Sequence, residues 1–255
     1  VKIVREIKMK VELIEHTKLS NACKAGRTCW DSFHKGGCYT SPTDSISEED
    51  KDFLNRIINK NKHGSIAEHL VYTFDIDGIS RACLQELARH RMASLSVKST
   101  RYTLKELKNE KLDFVIADED EYTCTLSNEE YEEYEKSEIE NYNMLYRYKQ
   151  GQKYLVFSDN QQINNNSLMA LDNLRMSLVD GIPNDIAKYC LPEAFKTSLV
   201  WTINARSLQN FLSLRTFKSA LWEIRDLAYA IYKQIPSEHK YLFKEFLYEV
   251  PTSNS

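Results

Sequence analysis

The sequence predicts an α+β fold, a mixed or antiparallel sheet packed with several long helices. Two segments alternate in the strand period. Tyr72, Phe74 and Ile76 oppose Thr73, Asp75 and Asp77, and Leu199, Trp201 and Ile203 oppose Ser198, Thr202 and Asn204. Around them, apolar residues recur every three or four positions, as on amphipathic helices. With seven glycines and no GxGxxG or Walker-type loop, neither common phosphate loop is available. One domain over 1–255 is expected, with a variable helical segment at about 104–160.

Residues 10–17 carry Val11, Leu13 and Ile14 and read as a strand. Residues 21–33 read as a short helix broken by Gly36-Gly37. Ser47-Glu48-Glu49-Asp50 resembles a capping box, and Phe53, Leu54, Ile57 and Ile58 give the following helical face. In His63-Gly64-Ser65-Ile66-Ala67-Glu68-His69, the plainer reading is a helix start in which Ser65 caps and Glu68 meets the dipole. Two histidines and a glutamate this close suit a metal, but the glutamate directly precedes the second histidine, unlike HExxH; hydrogen bonding is expected, and no metal. Gly78 closes the strand over 71–77. A helix over 80–91 buries Cys83, Leu84, Leu87 and Ala88. It brings Gln85, Glu86 and Arg89 to one rim and turns Arg89 and Arg91 different ways.

Further on, 114–116 reads as a strand, and 127–130 resembles a capping box before a helix with a tyrosine stripe from Tyr131 to Tyr146. Residues 161–166 are a polar break or helix start, and 168–178 an amphipathic helix. A turn at 181–184 leads to a short helix stopped by Pro192. After the strand at 199–203 a helix places Arg206 and Asn210 on one face and ends at Arg215. The last helix packs Ala220, Leu221, Ile224, Leu227, Ala228 and Ile231.

The 255 residues suffice for a sizeable core. Lys and Arg number 34 against 37 Asp and Glu, a net charge of −3, so any anion site is local and bulk attraction to nucleic acid is not expected. Six cysteines show no CxxC and no metal-type spacing. No leader and no membrane-length apolar run is seen, so free thiols in a cytoplasmic protein are expected, with no membrane partner.

The densest set of donors is Arg89-His90-Arg91-Met92-Ala93-Ser94-Leu95-Ser96-Val97-Lys98-Ser99-Thr100-Arg101-Tyr102. Arginine forks and hydroxyls hold phosphates and carbonyl-bearing rings, which points to a nucleotide-sized anion. The plainer reading is that cations at a helix end complement its dipole. Asn204, Arg206, Asn210 and Arg215 form a second cluster, which favours the ligand. A non-catalytic nucleotide- or RNA-binding protein using Arg101-Tyr102 and Arg215 is the competing class. The acidic balance and the lack of a continuous basic stripe count against it.

These pieces, in this order, resemble the flavin-dependent thymidylate synthases. The family signature of Arg-His-Arg, seven residues, Ser is matched by Arg89-His90-Arg91 and Ser99, and continues into Arg101-Tyr102. The likeness extends to Thr28-Cys29-Trp30, His63 to His69, Trp201 to Arg206, Asn210, Leu214-Arg215 and Trp222-Glu223. It implies an enzyme that reductively methylates dUMP to dTMP, with FAD, 5,10-methylenetetrahydrofolate as methylene donor and NADPH. FAD contacts are implied at Ser65, Glu68, Arg89, His90, Arg91, Val97, Asn204, Arg206 and Asn210. The nucleotide is implied at Glu86, Leu87, Ala88, Arg89, Val97, Lys98, Ser99, Thr100, Arg101, Lys188 and Arg215, partly through backbone, with Arg215 activating the pyrimidine. A homotetramer with shared active sites is implied too. Two positions depart from the pattern: Lys188 stands where an Arg is common, and Ser219 where a His is common. No cysteine sits in a nucleophile motif, so positioning and polarisation fall to Arg and backbone N–H groups.

Overall fold

A computed structural model describes residues 9–35, 45–110 and 147–248. These fall into two compact units. The larger takes in 9–35, 45–79, 83–97 and 198–248, and the smaller 80–82, 98–110 and 147–197.

The larger unit carries the sheet. Its strands are β1 (Lys10–His16), β2 (Val71–Ser80), β3 (Ala93–Val97) and β4 (Lys196–Asn204), in the order β1-β2-β4-β3. β1 runs antiparallel to β2, with Val11 opposite Ile76 and Leu13 opposite Phe74. β3 runs antiparallel to β4, with Leu95 opposite Trp201. The alternation has its expected result. Tyr72, Phe74, Ile76, Leu199, Trp201 and Ile203 are buried in one core, while Thr73 and Thr202 bond each other through their hydroxyls at 3.0 Å. Gly78 does not end β2. It takes φ +80°, open to glycine at little cost, and the chain continues with Ile79 and Ser80 both buried. The glycine thus shifts the phase of the strand instead of closing it. β3 is an element the sequence reading did not assign, although Ala93, Leu95 and Val97 alternate with Ser94 and Ser96.

Helices cover the core face. They are α1 (Leu19–Cys29), α2 (Glu48–Leu54) with a π-helical continuation (Asn55–Lys60), α3 (Gly64–Ala67) and α4 (Arg81–Ala88). α1 begins two residues before the expected helix and stops sooner, because Leu19, Ala22 and Cys23 supply its fully buried face. Ser47 caps α2, accepting from Asp50 N at 3.2 Å. The reciprocal arm of a capping box is replaced, since the Asp50 carboxylate turns inward and accepts from Arg27 Nη2 at 2.8 Å. Both side chains are almost fully buried, and the Arg27 guanidinium also lies 4.0 Å over the Phe53 ring.

The smaller unit holds α5 (Thr100–Thr103), α6 (Lys105–Lys108), α7 (Gln161–Val179) and α8 (Asn184–Ala187). The polar stretch at 161–166 is a helix start, capped by Asn160, which accepts from Ile163 N at 3.1 Å. Leu168, Leu171, Leu174 and Leu178 make the buried face of α7 against Leu104, Leu107 and Phe195. α9 (Ala205–Arg215) and α10 (Trp222–Gln234) complete the larger unit, and α10 buries Ile224, Leu227, Ala228 and Ile231. The expected break at Gly36-Gly37, strand at 114–116 and helix from 127 to 146 lie outside the described residues. No helix among the described residues is long and apolar enough to cross a membrane.

Removing one member of a buried ion pair strands the other in low dielectric, at about 3–5 kcal/mol. Asp50→Ala should therefore lower unfolding stability by about that amount in urea titrations. A loss under about 1 kcal/mol would show that Arg27 finds water or another partner.

Candidate active site

The end of α4 and the whole of α9 define the site. α4 stops at Ala88 and not at Arg91 as expected. In a continuing helix, His90 N would bond to Glu86 O. Instead it bonds to Leu87 O at 3.1 Å, and Arg215 Nη2 takes Glu86 O at 3.1 Å. A guanidinium from α9 thus caps the carboxyl end of α4, where the helix dipole favours a cation. The Arg-His-Arg triplet consequently lies beyond the helix, so the helical argument for Arg89 and Arg91 facing apart does not apply.

The contacts of Arg215 do not stop there. Its Nη1 donates to Glu86 Oε2 at 2.7 Å and its Nε to His90 Nε2 at 2.9 Å. Glu86 also accepts from Arg89 Nη1 at 3.2 and 3.3 Å. His90 packs edge-on against Phe211, ring centres 5.0 Å apart, and Phe211 packs at 5.0 Å on Trp201 of the sheet. Burial, then the positive charges of Arg215 and Arg89, push His90 down to about 4, against an opposing pull from Glu86. Partial burial raises Glu86, but the bonds and charges of Arg215 and Arg89 outweigh it and hold its carboxyl below the usual range. Burial and the Glu223 charge push the Cys83 thiol well up, so it is no nucleophile at neutral pH.

A second arm comes from α3 and the start of α9. His63, not Ser65, is the N-terminal flanking residue of α3, and Glu68 stands at its carboxyl end, so the plainer capping reading is not realised. Glu68 instead accepts from Arg206 Nη1 at 2.7 Å. Arg206 lies so close over Gly64 that a β-carbon there would come within 2.7 Å of its Nε. Asn204 caps α9, accepting from Ser207 N at 2.9 Å. His63 meets the exposed Trp30 edge-on at 6.0 Å. Among the described residues no group of His, Cys, Asp or Glu is placed to hold a metal.

These arms enclose a cavity of about 680 Å³, in the range of small-molecule sites. Of the residues singled out in the sequence, Glu68, Arg89, His90, Arg91, Asn204, Arg206, Asn210 and Arg215 line it. Four guanidiniums face one lining carboxylate, so the site is strongly cationic on a chain of net charge −3. Met92, Ser207 and Leu214 line it as well and were not expected. For two of them the signal was present, since Ser207, Asn210 and Leu214 follow at helical intervals. Ser65 and Val97 are exposed outside this lining, Ala88 is exposed at the end of α4, and Leu87 is fully buried in the core. Lys98, Ser99, Thr100, Arg101 and Lys188 belong to the smaller unit. There Asn184 Nδ2 donates to Arg101 O at 2.8 Å, bringing the Ser99–Arg101 turn beside α8, and Lys188 follows directly on α8.

The family model for thymidylate synthase complementing protein matches residues 12–239. A flavin-dependent thymidylate synthase of Wolinella succinogenes is 51% identical over 235 residues, covering 92% of this chain and 97% of that protein. One from Campylobacter jejuni is 49% identical over 241 residues, covering 94% and 99%. The crystal structure of thymidylate synthase X from Helicobacter pylori with FAD and dUMP superposes with a TM-score of 0.76 at 42% identity. It covers 94% of this chain and 100% of that one.

The low proton affinity of His90 gives stability a pH signature. Between its ordinary 6.5 and about 4, the unfolded chain takes up a proton that the folded chain does not. The contribution is complete above pH 6.5 and lost as pH falls towards 4. Over that window the parent protein should lose about 2–3 kcal/mol more stability than His90→Gln. Parallel pH–stability curves would refute this.

Proposed function

The chain belongs to the flavin-dependent thymidylate synthase family, and from that membership we propose that its cationic cavity is where dUMP is reductively methylated to dTMP. The observation carrying the reading is the gathering of Arg89, Arg91, Arg206 and Arg215 with Asn204 and Asn210 in one cavity, without a glycine phosphate loop. That donor set fits FAD. Guanidiniums and the amino end of α9 suit a pyrophosphate, and side-chain amides suit ring carbonyls and imides. Ser65, Glu68, Arg89, His90, Arg91, Val97, Asn204, Arg206 and Asn210 are assigned to it. When bound, the flavin supplies hydride, with 5,10-methylenetetrahydrofolate as carbon donor and NADPH as reductant.

The protein's own part is to bind and polarise. Glu86 to Arg89, Val97 to Arg101, Lys188 and Arg215 are assigned to dUMP, with Leu87 acting through its backbone because its side chain is in the core. Ser99 positions the nucleotide and does not attack it. Arg215 stays protonated at any working pH and draws negative charge onto the N3–carbonyl edge of the uracil, enriching C5. Of its five N–H groups, three are used on His90 and Glu86, leaving two for the ring. Two further readings accompany this one. The exposed Met169, Met176, Val179, Ile182 and Ile186 of the smaller unit support a homotetramer with shared sites. The exposed thiols of Cys29 and Cys190, neither in a disulfide, support a cytoplasmic location.

The decisive experiment is anaerobic turnover of dUMP with methylenetetrahydrofolate and NADPH, followed for dTMP; no dTMP would overturn the assignment. Gly64→Ala should push Arg206 aside and weaken FAD binding roughly tenfold, as should Arg206→Ala, with folding stability changed by less than about 1 kcal/mol. Equal FAD affinity in both variants and the parent would remove Arg206 from the flavin site. Arg215→Ala should lower dTMP formation by about two to three powers of ten while FAD stays bound. Arg215→Lys should recover little, because the fork is lost; near-normal turnover by the Lys variant would reduce Arg215 to a charge at a helix end.

A further inference from the structure

We propose that His90 is a positioning residue for Arg215: its imidazole accepts the Nε–H bond and, together with Glu86, fixes the plane of the guanidinium. The inference rests on the proposed role of Arg215 and adds a second function to a residue otherwise assigned to the flavin. An Nε–H donor at 2.9 Å requires His90 Nε2 to carry a lone pair, so the ring is neutral with its proton on Nδ1. Glu86 supplies the other two anchors, its carboxylate at 2.7 Å and its carbonyl at 3.1 Å. Three bonds from three directions leave a planar group no rotation. The ring that makes the first is itself wedged against Phe211, which rests on Trp201. The orientation of Arg215 is thereby traced to the sheet. A guanidinium so fixed presents its last two N–H groups without reorganising when charge develops on a ligand, which is where preorganised donors gain most.

The consequence is a rate effect transmitted through Arg215. His90→Leu removes the acceptor at similar bulk; His90→Gln keeps a neutral acceptor. Three quantities are to be measured: dTMP formation, flavin content by absorbance, and the Arg215 Nε–H resonance in ¹⁵N NMR. His90→Leu should lower kcat about 10- to 100-fold with KM for dUMP changed by less than about threefold. His90→Gln should restore most of it. In an Arg215→Ala background, adding His90→Leu should cost less than about twofold, because the two act as one unit. The Nε–H resonance should be sharp in the parent and the Gln variant, and lost to exchange in the Leu variant. Multiplicative losses in the double variant, with rates taken per bound flavin, would overturn the proposal. So would an unchanged resonance in His90→Leu. A parent that makes no dTMP would sink the enzymatic reading alone, since the NMR comparison still decides whether His90 holds Arg215.

Discussion

The guanidinium of Arg215 is the point on which the candidate site depends. It ends α4 by occupying Glu86 O, and so turns Arg89, His90 and Arg91 out of a helix and towards the cavity. The same group binds the Glu86 carboxylate and the His90 ring. A Lys has three donors, but all on one nitrogen; only the guanidinium sets three nitrogens in one plane to meet a carbonyl, a carboxylate and an imidazole and still keeps two N–H groups for a ligand. The position of the triplet and the orientation of Arg215 are therefore one structural fact.

The support runs inward through aromatic rings. His90 leans on Phe211, Phe211 on Trp201, and Trp201 lies 6.3 Å from Phe74 in the middle of the sheet. Interiors are close-packed, so a change of volume at any of these rings is felt at its neighbour. This couples β2, β4 and α9 to the site without any of their core residues touching a ligand. Burial of His90 in this stack also excludes its charged form, which is the form unable to accept the Arg215 bond.

Much of this was legible in the sequence, for identifiable reasons. β2 and β4 follow from strict alternation, and α9 from Asn204 as cap with Arg215 at its end. The Arg-His-Arg triplet and the Asn204–Asn210 cluster stood out by donor density. What was not legible depends on contacts between distant segments. The end of α4 is set by Arg215, 129 positions from Glu86, and no local breaker marks it. Ser65 resembles a cap, and that resemblance makes Glu68 look like an N-terminal helix charge. Its true partner, Arg206, is 138 positions away. Gly78 resembles a strand end because its φ is not readable from its identity. β3 is hard to read because its five residues sit between Arg91 and Lys98 in a stretch dense in charges and hydroxyls.

The two carboxylates at the site hold their guanidiniums with different firmness, and burial explains the division. Arg206 and Glu68 are 62% and 43% exposed, so water screens their attraction and the pair contributes about 0–1 kcal/mol. An arriving anion can take Arg206 from Glu68 at small cost, which suits a residue whose work is to grip. Arg215 is only 13% exposed and its bonds to Glu86 are reinforced by His90. Releasing it would leave a helix carbonyl and a buried ring nitrogen without this donor, and the Glu86 carboxylate with only Arg89, whose bonds are longer at 3.2 and 3.3 Å. Arg215 is therefore held more firmly than Arg206, which suits a residue whose work is to stabilise charge that appears only as the reaction proceeds. The same residue type thus serves binding at one end of the site and preorganisation at the other, distinguished by how much water reaches the guanidinium, 62% exposed in Arg206 against 13% in Arg215, and by the extra bond to His90.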